Sequence, residues 1–120
     1  MHLNHLHLSV PDVPALSSVL VRHFHFNLIH RSANQAFAAL RDSDDFTLVL
    51  MRLETGADPS TVYPRDFHIG FLTSNDAEVE AMHASLLADG LQPSSIEVSR
   101  GGKRFYLRAP GALLIEVGVS

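Results

Sequence analysis

Three residues carry side chains that coordinate divalent metals and stand where strands are expected. They are His5 in Leu3-Asn4-His5-Leu6-His7-Leu8-Ser9-Val10, His68 in Phe67-His68-Ile69-Gly70-Phe71, and Glu116 in the apolar run Leu113-Leu114-Ile115-Glu116-Val117. Glu116 is the most pointed of the three, because a lone carboxylate taken out of water is costly unless it meets a partner. Two imidazoles and one carboxylate make a ligand set for a divalent metal, and three protein ligands leave positions for water or substrate. An ion with open positions polarises a carbonyl, stabilises an enolate or alkoxide, or activates water. The chain has no Cys, so thiolate and disulfide chemistry are excluded and any metal must be held by His, Asp or Glu.

The surrounding pattern says which elements must position these side chains. Residues 3–10 alternate as a strand, with Asn4, Leu6, Leu8 and Val10 on one face and Leu3, His5 and His7 on the other. Asp12 is a natural N-cap, Pro14 suits a first turn, and Leu16, Val19, Leu20 and Phe24 follow at helical spacing. The helix is expected to run to about residues 23–25, with Asn27 leaving it in a left-handed conformation. Strands are predicted near 28–32, 35–41 and 46–53, the last two joined by the turn Asp42-Ser43-Asp44-Asp45. Residues 54–66 are rich in Gly, Pro and polar side chains and read as a linker. The pattern then restarts: a strand from Phe67, a helix capped by Ser74-Asn75-Asp76 and closed by Gly90, and strands near 94–99, 103–108 and 113–119. The last two strands form a hairpin through a Pro110-Gly111 turn.

A shift of 63 residues lays His5 on His68, Leu16 on Val79, Val19 on Met82, Phe24 on Leu87, Asn27 on Gly90 and Leu28 on Leu91. Each half therefore reads βαβββ: one module over about 1–54, a linker over about 55–66, and a second module over about 67–120. Each small sheet has one face covered by its helix. Leu6, Leu8 and Val10 take that side in the first strand, Phe67, Ile69 and Phe71 in the fifth, and Leu113, Ile115 and Val117 in the last. His5, His68 and Glu116 then all fall on the uncovered face. Surface histidines and an edge-strand acid would show the same parity, so spacing alone leaves both readings open.

With these segments in hand the chain resembles the vicinal oxygen chelate superfamily, which includes glyoxalase I, fosfomycin-resistance proteins, bleomycin-resistance proteins and extradiol dioxygenases. The resemblance covers essentially the whole chain and rests on residues 3–12, Phe67-His68-Ile69-Gly70-Phe71, and residues 105–116. It implies an α+β fold of two βαβββ modules forming an open-sided, mixed, glyoxalase-like β-barrel. It also implies that His5, His68 and Glu116 hold a divalent ion (Mn, Fe, Ni or Zn). The family's Asp-Pro-Asp-Gly turn is Ala109-Pro110-Gly111-Ala112 here, and the Gly that commonly follows the first helix is His25. The fourth protein ligand of glyoxalase I-like members falls on Val49, and Glu54 lies five residues further on, at the expected strand end.

Other residues join the uncovered face. His7 could act as a general base or face solvent. Tyr106 lies across from Glu116 if Pro110-Gly111-Ala112 is a three-residue loop, where its hydroxyl would serve a developing oxyanion; a four-residue loop would turn it to the helix side. Thr47, Val49 and Met51 would line a substrate pocket. Arg52, Arg65, Arg104 and Arg108 are candidate anion contacts or solvated charges. The linker, with Tyr63-Pro64 before the fifth strand, is a lid or a plain connection.

Composition narrows the function classes. At 120 residues the chain is one domain with a sizeable core, and 46% hydrophobic content is a globular value. A net charge of −4 without a basic cluster excludes nucleic acid as an expected partner. No apolar run approaches the roughly 20 residues that span a bilayer, and no secretory signal pattern opens the chain, so a cytoplasmic protein is expected. Exposed sheet edges and an apolar face, with the habit of short chains in the family this chain resembles, point to a homodimer, its site formed within one chain or across the two. The leading expectation is a metal-dependent lyase, transferase or dioxygenase acting on a small oxygen-bearing substrate. The alternatives are a metal-free ligand-sequestering protein of the bleomycin-resistance type, and a structural βαβββ dimer.

Overall fold

A computed structural model describes residues 1–110 and 113–120. The element order is β1 (His5–Val10), α1 (Val13–His23), β2 (Asn27–Arg31), β3 (Phe37–Arg41), β4 (Thr47–Arg52), α2 (Pro59–Val62), β5 (His68–Thr73), α3 (Asp76–Ala88), β6 (Glu97–Ser99), β7 (Gly102–Arg108) and β8 (Leu114–Val119). Two compact units divide it, one built on Met1–Pro64 and the other on Arg65–Ala109 with Leu113–Ser120. Each holds one open, mixed four-stranded sheet and the helix that covers it, so the α+β fold with a βαβββ repeat is what the chain adopts.

In the first module the strand order is β1-β4-β3-β2, with β1 parallel to β4 and the other pairs antiparallel. The helix α1 starts where expected, because Asp12 Oδ1 accepts the Ala15 N–H at 3.0 Å. It buries Val13, Leu16, Ser17, Val19, Leu20 and His23. Leu8 and Val10 of β1, Ala38 and Leu40 of β3, and Leu48 and Leu50 of β4 make up the sheet side of this core. The left-handed residue after α1 is His25 (φ 60) rather than Asn27. Phe24 and Phe26 are both buried, so the chain must reverse at the residue between them, and Asn27 already begins β2. Asp42 Oδ1 accepts the N–H groups of Asp44 and Phe46, both at 2.9 Å, which builds the β3–β4 turn. All five β2 residues are exposed, and the register slips between Leu28 and His30.

The linker is not wholly irregular. Pro59 suits the first turn of a helix, and Asp58 caps the single turn α2 by accepting the Ser60 N–H at 3.0 Å. Hydrogen bonds from the Ser60 side chain and backbone hold the Asp58 carboxyl below the usual carboxylate range. Further on, the Tyr63 hydroxyl accepts the Ser9 N–H at 2.9 Å. As β1 is an edge strand of its sheet, this bond satisfies a donor that pairing leaves over.

The second module repeats the order as β5-β8-β7-β6, with β5 parallel to β8. Asn75 Oδ1 accepts the Glu78 N–H at 3.0 Å, while Glu78 reaches back to the Ser74 N–H at 2.9 Å, a reciprocal cap on α3. Gly90 (φ 82) follows the helix in the left-handed region. The covered face carries Phe105, Leu107, Ile115 and Val117, against Val79 and Leu86 of α3. The buried Phe24 and the exposed Leu87 do not play the same part; Leu86 takes the buried role one residue earlier, at the position matching His23. The strand expected over 94–99 shortens to β6; ahead of it Ser94 donates its N–H to Tyr106 O at 2.7 Å, while its hydroxyl, in place of its carbonyl, accepts the Tyr106 N–H at 2.8 Å. The expected Pro110-Gly111 turn falls partly on Gly111 and Ala112, which lie outside the described residues; the Ala109 N–H donates to Leu113 O at 2.8 Å.

Candidate functional site

The second module brings Glu116, His68, Tyr106 and Arg104 together on its uncovered face. Glu116 lies at the centre of β8, paired in register with Gly70 of β5 on one side and Tyr106 of β7 on the other. The Tyr106–Glu116 pairing is the register that a three-residue loop would produce. His68 stands one step diagonally from the acid, beside Leu114, and its Nε2 lies 3.0 Å from Glu116 Oε2. The Tyr106 ring meets the His68 ring edge-on at 6.0 Å. The Glu116 side chain is 15% exposed, so its charge is largely withdrawn from water.

Of the four arginines considered as anion contacts, Arg104 is the one bonded to the acid. Its Nη1 donates to Glu116 Oε1 at 3.1 Å. Arg104 lies opposite Gly118 in register, and a Cβ on that glycine would sit 3.5 Å from Arg104 Cβ and 3.8 Å from Glu116 Oε1. Both are ordinary van der Waals distances, so position 118 packs directly beside the arginine stem and the acid. Arg104 Nε is buried and, among the described residues, has no hydrogen-bond partner. Of the other arginines considered, Arg108 donates through Nη2 to Arg65 O at 3.3 Å.

Hydrogen bonding fixes which nitrogen of His68 is presented. Nδ1 is 2.9 Å from Asp66 O, a carbonyl that can only accept, so Nδ1 carries the proton. In the neutral ring Nε2 then has its lone pair facing a carboxylate oxygen at 3.0 Å, an arrangement that repels unless something positive lies between. A proton on Nε2 or a shared metal ion satisfies that demand.

The first module presents a different set. His5 pairs in register with Thr47, His7 with Val49 and Ser9 with Met51. His5 Nδ1 bonds Asn4 Oδ1 at 2.7 Å, so its Nε2 also keeps the lone pair. The Asn4 side chain therefore serves the histidine face, not the Leu6 face. Arg41 Nε donates to Thr47 Oγ1 at 3.4 Å. The residues of β1, β3 and β4 that alternate with the buried set include no acid, and Glu54 lies past the end of β4. His5, His7, Thr47, Val49 and Met51 thus share one module, and His68, Tyr106 and Glu116 share the other. Within each module, among the described residues, no group of three or more His, Asp or Glu side chains stands ready to hold a metal.

The Nδ1 acceptors escaped the sequence reading, and Arg104 was named there only as one of four candidate anion contacts. For Arg104 a signal existed, since it shares the parity of Tyr106 on the same strand; for His68 none did, because its acceptor is a main-chain carbonyl.

A protein described as a possible glyoxalase from Bacillus cereus is 33% identical to this chain, with a TM-score of 0.81, and the match covers 98% of this chain and 97% of that one. A lactoylglutathione lyase from Agrobacterium tumefaciens is 17% identical with a TM-score of 0.77, covering 99% and 93%. A genomically encoded fosfomycin resistance protein from Listeria monocytogenes is 18% identical with a TM-score of 0.74, covering 97% and 89%. No protein-family model and no curated protein matches the sequence. The chain belongs to the vicinal oxygen chelate superfamily, on the strength of its fold and the first of these likenesses.

Proposed function

We propose that this protein is a metal-dependent enzyme acting on a small substrate that binds through oxygen atoms, with His5, His68 and Glu116 holding the ion. The observation that carries the reading is the approach of His68 Nε2 to Glu116 Oε2 at 3.0 Å with Nδ1 already committed to a carbonyl. Two atoms sharing one ion at about 2.1 Å each lie no more than roughly 4.2 Å apart, so the observed spacing suits a shared cation. The donor set also fits chemically: a neutral imidazole whose other nitrogen donates to an oxygen is the usual state of a metal-bound histidine. His5, held by Asn4 in the same tautomer, supports its place as the third ligand.

A divalent ion bound there would supply Lewis-acid stabilisation of negative charge on substrate oxygen. The chain's own residues would do the rest. Tyr106, paired with Glu116, would offer a hydroxyl to that oxygen. Thr47, Val49 and Met51 would form the substrate-facing surface of the first module, and His7, beside Val49, would be positioned to accept a proton. We further propose a cytoplasmic homodimer. Leu28 and Ile29, exposed at 42% and 52% on the edge strand β2, support the pairing. Among the described residues no helix is long and apolar enough to cross a membrane.

Metal analysis of untagged protein beside His68→Ala tests the reading. Stoichiometric metal that disappears in the variant supports it. Failure of the wild type to take up Mn, Fe, Ni or Zn on titration overturns it and leaves the ligand-sequestering alternative.

A further inference from the structure

We infer that Arg104 is a positioning residue that keeps Glu116 monodentate, reserving Oε1 for itself so that only Oε2 is offered beside His68. The inference rests on the metal-binding reading above and adds a residue to it. A free carboxylate can give both oxygens to one ion. Here the two oxygens already have different partners: Oε1 accepts from Arg104 Nη1 at 3.1 Å, and Oε2 faces His68 Nε2 at 3.0 Å.

Three features show that the arginine is placed for this contact. It stands opposite Gly118, one diagonal step from Glu116, so its stem lies on the same face as the acid. Among the described residues its buried Nε has no hydrogen-bond partner, so the pose favours the Nη1 bond to Glu116 over the arginine's own full hydrogen bonding. The guanidinium is also permanently charged and rigid, so it holds one carboxylate oxygen in a defined direction where a flexible ammonium would not. Carboxylate ligands are commonly oriented by such a second hydrogen bond, and its loss costs about 10–100-fold in metal affinity. A monodentate Glu116 leaves one more position open than a bidentate one, which suits a substrate that binds through two oxygens.

The test is calorimetric titration of the full-length protein with Mn2+, for wild type, Arg104→Met, Arg104→Lys and His68→Ala, with the fold of each checked by circular dichroism. The visible spectrum of each Co2+-loaded protein reports coordination number independently of turnover. The expected result is that Arg104→Met binds metal about 10–100-fold more weakly and shows an altered Co2+ spectrum. Arg104→Lys should fall between it and the wild type, and it carries the test if the Met variant does not fold. Wild-type affinity and spectrum in Arg104→Met, or in Arg104→Lys where the Met variant is unfolded, would overturn the role of Arg104 while leaving the metal site standing. A wild type that binds no metal, or binds it undiminished in His68→Ala, would overturn the metal reading and this inference together.

Discussion

The two modules share strand order, parity and a first-strand histidine, yet they divide the protein's work unequally. In register terms Glu116 corresponds to Val49, Tyr106 to Ala39 and Arg104 to Phe37. The acid, its phenol neighbour and its arginine in one module are thus three apolar side chains in the other. Packing runs the opposite way: α1 buries six residues, while α3 buries Val79 and Leu86. One repeat has the more deeply buried helix, and its twin carries the acid, the phenol and the arginine on its uncovered face.

The contrast can be broken at its strongest point first. Glu116→Gln should abolish stoichiometric metal binding, read by elemental analysis after dialysis. Val49→Glu, which supplies an acid at the position of the fourth ligand, should still bind one equivalent in a Zn2+ titration, but more tightly than the wild type. Next in size is the packing difference. Leu16→Ala in α1 should cost about 2–5 kcal/mol in chemical denaturation, whereas Leu87→Ala on α3, exposed at 51%, should stay within roughly 0.5 kcal/mol. The helix caps should not follow the contrast, since Asp12 and Asn75 make the same bond at the same 3.0 Å. Asp12→Ala and Asn75→Ala should each cost about 1 kcal/mol in the same assay.

The smallest effect lies between the modules, at Asp58. Its carboxyl sits below its ordinary 3.8 because Ser60 donates to it, so its contribution is full above that value and is lost as pH falls through the lowered one. Asp58→Ala should therefore speed amide exchange at Ser60 at neutral pH, and the difference should fade only in strong acid.

Much of this was legible in the sequence because strand parity is unforgiving: one slip in register would turn a whole strand over. That rule put His5 and His7 opposite Leu8 and Val10, and Glu116 opposite Ile115 and Val117, without any coordinates. The face of Tyr106 stayed open in the sequence between a three- and a four-residue loop, and the register pairs it with Glu116. Where local choices compete, the reading failed. Asn27 is the better left-handed residue by propensity, but two buried phenylalanines forced the reversal onto His25. A four-residue helix inside a Pro- and Gly-rich linker has no periodicity to show. Arg104 was one arginine among several, and its bond to Glu116 is what distinguishes it from the others.

Gly118 has a consequence for anyone wishing to reprogram this protein. A Cβ there would make ordinary contact with the arginine stem and with Glu116 Oε1, and only atoms beyond it would crowd the track along which the stem lies. Bulk at 118 is therefore a dial set behind the acid, able to release Glu116 from its tether while every charged group stays in the sequence.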